Sequence, residues 1–175
     1  IVPISPPPGF QETAVTHARG LPPPLPRPPG IPVQKYFTFT PPVDGSAAPV
    51  LGSLVAQTFC QTIGTGLLDD WLEYYAESAK KSLLVGSAQV TCETSEERKL
   101  QWQSLMQPSF VWNVNGWTVQ HTPHNNSILL VLLGKTLQPA TGWFTYTMTL
   151  LLQHHHDETA GYTIVNDILT LIPLV

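Results

Sequence analysis

The sequence has few of the residues on which disulfide-bonded, metal-binding or membrane-spanning domains depend. Its two cysteines, Cys60 and Cys92, form no CxxC or Cys/His pattern with zinc spacing. Two thiols in a domain of this size are typical of buried, reduced side chains, and a single disulfide is the less favoured alternative. The longest uninterrupted apolar run, Ile128 to Leu133, is far too short to cross a bilayer. No signal peptide is predicted at Ile1, and we expect the chain to be part of a longer protein.

Charge is also scarce, with 8 Lys and Arg against 12 Asp and Glu and a net charge of -4. The basic residues are scattered, and only Lys80–Lys81 and Arg98–Lys99 are adjacent pairs. Neutralising several phosphates requires clustered Lys and Arg. Direct nucleic-acid binding by this segment is therefore not predicted.

Carboxylates that could transfer protons are missing from a long stretch of the second half of the chain. Residues 110–156 contain no Asp or Glu, and no GxSxG motif is present. Isomerases and dehydratases need a general base, often a carboxylate, so His121 is the alternative base that an enzyme would have to use. His154 to His156 with Asp157 suggest a polar turn rather than a metal site, because adjacent strand residues point to opposite faces. The sequence predicts a protein that is not an enzyme and has no cofactor.

Proline divides the chain into two regions. Fourteen of the 18 prolines precede Leu51, so residues 1–46 are predicted to be an extended proline-rich arm and residues 47–175 a folded domain. Pro23-x-x-Pro26 followed by Arg27 resembles an SH3 ligand, but the arginine is one place short of the common spacing, which favours a spacer. The apolar residues of the arm are expected to lie against the domain. They are Ile31, Val33, Tyr36, Phe37 and Phe39.

Three helices and one short strand are predicted in the first part of the folded domain. Apolar residues from Leu51 to Ile63 repeat at helical spacing, and Gly64 and Gly66 end that helix. A second helix is predicted from Leu67 to Lys81, with acidic residues in its first turns and basic ones at its end. A short strand follows at 82–85, and the capping-box pattern Thr94-x-x-Glu97 predicts a third helix over 95–105.

Strand-like runs follow Pro108, at 110–114, 117–122, 127–136, 143–153 and 162–171. Asn115-Gly116 predicts a tight hairpin between the first two. Helices followed by an antiparallel meander form an α+β pattern, and a curved sheet wrapped around the helices would bury both apolar surfaces.

One face of this sheet is predicted to bind a partner. In the strand 143–153 the bulky apolar residues alternate with an uncharged, threonine-rich set, whereas the strand at 127–133 is apolar on both faces. An antiparallel strand that faces water should alternate with polar residues, and large apolar patches are rare on monomers. A covering loop or the proline-rich arm is the alternative. The predicted interface comprises Leu129, Val131, Leu133, Trp143, Thr145, Thr147 and Thr149.

The segment Gly161–Leu171, with Asn166-Asp167 at its centre, resembles the closing strand of nuclear-transport-factor-2-like (NTF2-like) domains. The resemblance covers about residues 47–173 and implies a cone made of a curved antiparallel sheet packed on N-terminal helices. Asn166 and Asp167 are a structural motif, in which Asp167 is expected to cap turn amides. Leu67-Leu-Asp-Asp-Trp-Leu, with Ser82-Leu-Leu, resembles the corresponding part of mRNA-export receptors of the Mex67/NXF type, as does the proline-rich stretch before Tyr36.

That resemblance implies a nuclear mRNA-export factor that shuttles between nucleus, nuclear pore and cytoplasm. It also implies a heterodimer with a small NTF2-like subunit of the p15/Mtr2 type, and binding of phenylalanine-glycine (FG) repeats of nucleoporins. Val131 stands where some relatives have an acidic residue. The alternatives are the small subunit itself, a homodimeric scaffold, and an isomerase or dehydratase that uses His121.

Overall fold

A computed structural model describes residues 34–38, 48–107, 109–122, 127–155 and 161–174. Outside these ranges lie the proline clusters, the Pro23–Arg27 motif and the predictions for Ile31, Val33, Phe39, His156 and Asp157. Within them, none of the helices has the length and apolar character needed to span a membrane. The elements in chain order are β1 (Phe37–Thr38), α1 (Ala48–Gly64), α2 (Leu68–Leu72), β2 (Tyr75–Val85), β3 (Ala88–Cys92), α3 (Ser95–Leu105), β4 (Val111–Thr122), β5 (Ser127–Gln138), β6 (Gly142–His155) and β7 (Gly161–Pro173).

The strands form one seven-stranded sheet in the order β3-β2-β7-β6-β5-β4, with β1 also paired to β7. Each consecutive pair of strands from β4 to β7 is antiparallel, as predicted. On its other side, β7 pairs with β2, and this pairing is parallel. The helices pack on one side of this sheet, with α1 against β4 and β5. The predicted α+β class, a curved antiparallel sheet packed on helices, is confirmed.

Two of the predicted helices are confirmed. In α1 the apolar repeat buries Leu51, Val55 and Phe59 completely, and Gly66 adopts a positive φ of 71° just beyond its end. α3 begins with the predicted capping box, because the Glu97 amide donates to Thr94 Oγ1 and the Glu97 carboxylate accepts from the Thr94 amide. Each contact satisfies an amide that has no partner within the helix.

The prediction of a helix from Leu67 to Lys81 is wrong. α2 ends at Leu72, and the chain continues as β2 with a register irregularity between Tyr75 and Lys80. Tyr75 and Ala79 are both buried, and a separation of four residues fits one face of a strand as well as one face of a helix. The buried Lys81 continues the strand pattern. Pairing with β7 overrides the local helical signal.

The predicted hairpin at Asn115-Gly116 is also wrong, because β4 is one continuous strand. Both of its halves pair with β5, and the register shifts between Val114 and Gly116. Asn115 is therefore the extra residue of a β-bulge. Bulges bend a strand and increase its twist, which is how this one contributes to the curvature of the sheet.

One short part of the proline-rich arm, residues 37 and 38, belongs to the sheet. Phe37 pairs with Tyr162 of β7, is 1% exposed, and stacks on Tyr74 with ring centroids 4.1 Å apart. The Lys35 ammonium lies 3.1 Å from the Glu73 carboxylate and 3.4 Å from that of Asp70. The expectation that Phe37 lies against the domain is confirmed.

Cys60 and Cys92 are both buried and unbridged, as the sequence predicts for reduced thiols. Cys60 lies on the sheet-facing side of α1 within the hydrophobic core. Burial raises the pKa of the Cys60 thiol to about 11, because the thiolate would lose its hydration there. The thiol form therefore predominates at neutral pH, and Cys60 acts as a small apolar side chain.

Candidate partner-binding face

The two faces of the sheet differ sharply in β6. The residues that alternate toward the helices are all buried. They are Phe144, Tyr146, Met148, Leu150 and Leu152. The opposite, outer face carries Trp143, Thr145, Thr147, Thr149 and Leu151, all of which are at least partly accessible. This assignment of the two faces, predicted from the alternation of the sequence, is confirmed.

The strand register brings the predicted interface residues together on this outer face. One row runs across four strands as Thr118, Val131, Thr149 and Ile168. The next row contains Leu133, Thr147 and Thr170. Two further cross-strand pairs of β5 and β6 lie on the same face, Leu129 with Leu151 and Leu137 with Trp143. We call this surface, formed by the outward residues of β4 to β7, the outer face.

Strand β7 supplies the most exposed apolar residues of the outer face, and none of them is among the interface residues predicted from the sequence. Ile168 is 49% exposed and Ile172 55% exposed, whereas Leu169 and Leu171 between them are buried. Ile168 lies opposite Thr149, and Ile172 lies opposite Thr145. The two-residue alternation from Ile168 to Ile172 is the same kind of pattern that predicted the two faces of β6, and it could have identified these residues.

Trp143 lies at one end of the outer face. It is 41% exposed and lies opposite Leu137, and its carbonyl oxygen accepts a hydrogen bond of 2.9 Å from the Leu174 amide. Leu174 and Ile172 are themselves exposed. A half-exposed tryptophan among aliphatic side chains is the type of residue that anchors protein interfaces.

Formal charge is nearly absent from β4 to β7. Among Asp, Glu, Lys and Arg these four strands contain only Lys135 and Asp167. Lys135 is exposed on the outer face, opposite Thr145 and Asn113. Asp167 points to the inner face and is completely buried. The centre of the outer face is therefore uncharged.

The inner face contains a buried polar cluster where β2, β7 and α3 meet. The Lys81 ammonium lies 3.7 Å from the Asp167 carboxylate and 4.5 Å from the centre of the Trp102 ring. The Tyr75 hydroxyl donates to Asp167 Oδ2 and accepts a 3.1 Å hydrogen bond from Trp102 Nε1. The expectation that Asp167 caps turn amides is wrong, because it lies within a strand and its partners are side chains.

Burial determines the ionisation of this cluster. Desolvation raises the pKa of the Asp167 carboxyl above its ordinary value, and the Lys81 charge and the Tyr75 hydroxyl oppose that shift. Desolvation likewise lowers the pKa of Lys81, against the attraction of Asp167. Since 3.7 Å is an ion-pair distance rather than a hydrogen-bond distance, the pair offsets only part of the cost of burying two charges.

Arg98 of α3 holds the irregular part of β2. Its guanidinium donates to the backbone carbonyls of Ala76, Glu77 and Ala79, at 3.2 Å for the first two. These residues lie within the register irregularity, where ladder hydrogen bonds are interrupted. Arg98 therefore supplies donors to carbonyls that the bulge removes from the sheet.

The histidines considered for catalysis or metal binding are dispersed. His121 points to the inner face opposite Ile128 and is half-buried, whereas His124 lies outside the described residues. The His154 ring contacts the Tyr162 ring, and His155 Nε2 lies 2.6 Å from Thr163 Oγ1. Among the described residues no group of three or more His, Cys, Asp or Glu side chains could hold a metal ion.

Comparison with known proteins establishes the fold. No protein-family model and no curated protein sequence matches this chain. Among solved structures, nuclear transport factor 2 from Cryptosporidium parvum superposes with a TM-score of 0.56 at 17% identity, covering 71% of this chain and 94% of that one. The C. albicans Mtr2–Mex67 M domain complex gives a TM-score of 0.55 at 13% identity, covering 73% of this chain and 96% of that one.

A third structure has an enzyme-related description. A ketosteroid isomerase-like protein from Erwinia carotovora atroseptica gives a TM-score of 0.51 at 10% identity, covering 75% of this chain and the whole of that one. Identities this low establish the fold alone. The chain has the NTF2-like fold, which the sequence predicted from its closing strand.

Proposed function

We propose that this chain is the NTF2-like, protein-interaction domain of a nuclear mRNA-export factor of the Mex67/NXF type, and that its outer face binds a small NTF2-like subunit of the p15/Mtr2 type. The observation that carries the proposal is the outer face itself. It presents Leu133, Trp143, Ile168 and Ile172 to solvent without a charged residue at its centre. Such a surface is typical of a face that another protein covers.

The shape of the outer face supports a sheet-to-sheet contact. The central rows alternate Val131 and Leu133 with Thr147, Thr149 and Thr170. Apart from Leu133, these side chains are short and β-branched, so a second sheet can approach closely. A partner of the same fold offers a sheet of similar size. A complex of Mtr2 with the Mex67 M domain is among the matching structures, which supports pairing with another protein.

The proposal includes a role at the nuclear pore. By the resemblance of the Leu67–Leu72 segment to Mex67/NXF receptors, the domain also contributes to binding FG repeats of nucleoporins and shuttles between nucleus and cytoplasm. A titration of the heterodimer with an FG-repeat peptide, with Phe→Ser repeats as the control, tests this part. Equal binding of both peptides, or of neither, would contradict it.

The substitution Thr147→Glu tests the partner-binding role. Thr147 lies in the middle strand of the outer face, between Leu133 and Thr170. A glutamate there would bring a charge into the uncharged centre of the contact, and its desolvation would cost several kcal/mol even though Lys135 lies one register row away. Co-purification with a panel of p15/Mtr2-type subunits, including C. albicans Mtr2, should therefore succeed for the native chain and fail for the variant.

A matched control separates the interface from general effects of charge. Gln103→Glu adds the same side chain at an exposed position of α3, on the side of the molecule away from the outer face. It should co-purify like the native chain. If Thr147→Glu also retains the subunit while its circular dichroism is unchanged, the assignment of the face is wrong.

We also propose that the domain is not an enzyme. The support is that the buried carboxylate Asp167 is engaged by Lys81 and Tyr75 and has no solvent access. His121→Ala should leave subunit binding unchanged. An isomerase or dehydratase activity of the purified chain that His121→Ala abolishes would contradict the proposal.

A further inference from the structure

Lys135 is the one formally charged residue of β4 to β7 that points to the outer face. Its cross-strand neighbours are Asn113 and Thr145, neither of which is charged. No carboxylate of the described residues lies within ion-pair distance of its ammonium. The protein as a whole is acidic, with a net charge of -4, so a lone cation on this face departs from the rest of the chain.

We propose that Lys135 forms an ion pair with an Asp or Glu on the sheet of the small subunit. This inference rests on the proposed function, because it names the chemistry of the partner at the same face. A subunit that covers the row Leu133, Thr147 and Thr170 also approaches Lys135, which lies two residues along β5. An ammonium removed from water without a counter-charge is costly, and a carboxylate on the covering surface would offset that cost.

The same charge pattern argues against a second copy of this chain as the occupant. In a two-fold symmetric pair, both subunits present the same patch. The outer face of β4 to β7 has no carboxylate to offer Lys135, and Asp167 points inward. Glu77 of β2 and Glu93 beyond β3 are exposed, but both lie on the far side of β7 from Lys135, and Glu93 is paired with Lys80 at 3.6 Å. A different subunit that carries an acidic residue satisfies Lys135.

Two substitutions at Lys135 test the ion pair with the same small subunit that co-purifies with the native chain. Lys135→Glu places two carboxylates together and should weaken the complex by about 30-fold or more, the range expected when a buried charge pair is broken. Lys135→Met keeps the length of the side chain, and its complex should lose most of the salt dependence of the native one. Affinity is measured at low and high salt by isothermal titration calorimetry.

Lys99→Met is the matched control, because Lys99 lies on α3 and its exposed pair with Asp69 is remote from the outer face. It should bind the subunit like the native chain. Each Asp and Glu on the sheet of the subunit is then changed to Lys, and one of these reversals should restore binding to Lys135→Glu.

The outcomes distinguish the inference from the function on which it rests. If Thr147→Glu abolishes binding but Lys135→Glu binds normally, or if no reversal restores binding, the ion pair is refuted and the heterodimer stands. If neither variant affects binding, the outer face is not the interface and both proposals fail. A native chain that forms a stable homodimer through this face, unaffected by Lys135→Glu, also overturns the inference.

Discussion

The ammonium of Lys81 lies 3.7 Å from the carboxylate of Asp167, and both side chains are fully shielded from solvent. The two residues are register partners on parallel strands, β2 and β7. This ion pair therefore joins two parallel strands, β2 and β7, within the core. A buried pair is not in itself strong evidence of stabilisation, but the loss of one partner leaves an uncompensated charge.

Lys81→Met should destabilise the domain by about 3–5 kcal/mol, because Asp167 would remain buried without its cation. The measurement is urea unfolding followed by tryptophan fluorescence. Replacing both residues, as Lys81→Met with Asp167→Asn, should recover most of the loss, because the amide is neutral and its oxygen still accepts from the Tyr75 hydroxyl. Lys80→Met is the control, since Lys80 forms an exposed pair with Glu93 that contributes at most about 1 kcal/mol. Equal effects of the two single variants would contradict the role of the buried pair.

The pKa values of two carboxyl groups should be shifted from their ordinary values in opposite directions. Burial raises the pKa of Asp167 above 3.8, whereas hydrogen bonds from the backbone amides of Glu93 and Thr94 lower the pKa of Glu97 below 4.5. A carbon-13 titration of the carboxyl resonances measures both. A midpoint for Asp167 at or below 3.8 would mean that the attraction of Lys81 exceeds the cost of desolvation.

The direction of the pKa shift of Asp167 determines how this residue changes the free energy of unfolding with pH. Below pH 3.8 the carboxyl is protonated in the folded and unfolded chain, and its contribution to stability is fully present. As the pH rises toward the higher folded pKa, the unfolded chain releases its proton first. The contribution of this group to the free energy of unfolding therefore falls over that interval. Glu97 contributes in the opposite sense, with stability that is lost as the pH falls through its lowered pKa.

Gly134→Ala should destabilise the domain by about 1–3 kcal/mol. A Cβ atom at Gly134 would lie 2.6 Å from the ring of Tyr146 and would also clash with the carbonyl oxygen of Asn113. The Tyr146 hydroxyl donates to that same oxygen at 3.0 Å, so the ring cannot move away without losing the bond. Gly116→Ala is the matched control, because its Cβ would meet nothing within 4 Å. Thermal unfolding measures both, and similar melting temperatures would contradict this packing.

Phe37→Ala should destabilise the domain by about 3–5 kcal/mol, as expected for a fully buried phenylalanine. The lost contacts include the stacked ring of Tyr74 and the tilted ring of Trp71, 6.3 Å away. Thr38→Ala, next in the chain and exposed, should have little effect. If the two variants unfold at the same urea concentration, the arm only rests on the domain and contributes nothing to its core.

The sequence predicted those features that depend on one local pattern. The capping box needs only Thr94 and Glu97, and the two faces of β6 follow from a two-residue period. The errors arise where tertiary pairing decides. Tyr75 and Ala79 fit a helix and a strand equally, and only the parallel pairing with β7 selects the strand. Asn115-Gly116 can make a hairpin or a bulge, depending on whether its flanks pair with each other or with β5.

The candidate interface was predicted on β5 and β6 because β5 is apolar on both faces and the outward residues of β6 are uncharged. The contribution of β7 was missed, since Ile168 and Ile172 stand in a segment recognised for its Asn166-Asp167 motif rather than for its two faces. The partnership of Asp167 with Lys81 links residues 86 positions apart. Parallel register alone brings them together, and no spacing in the sequence encodes it.

The solution mass of the chain, alone and with a partner, shows whether the outer face binds a small NTF2-like subunit. Light scattering on the chain expressed alone and together with a p15/Mtr2-type subunit gives that mass. We expect a soluble one-to-one complex with the subunit. The lone chain should aggregate, because Leu133, Trp143, Ile168 and Ile172 are uncovered. A soluble monomer that binds no such subunit would contradict the proposed partner-binding role and favour a ligand-binding or enzymatic role.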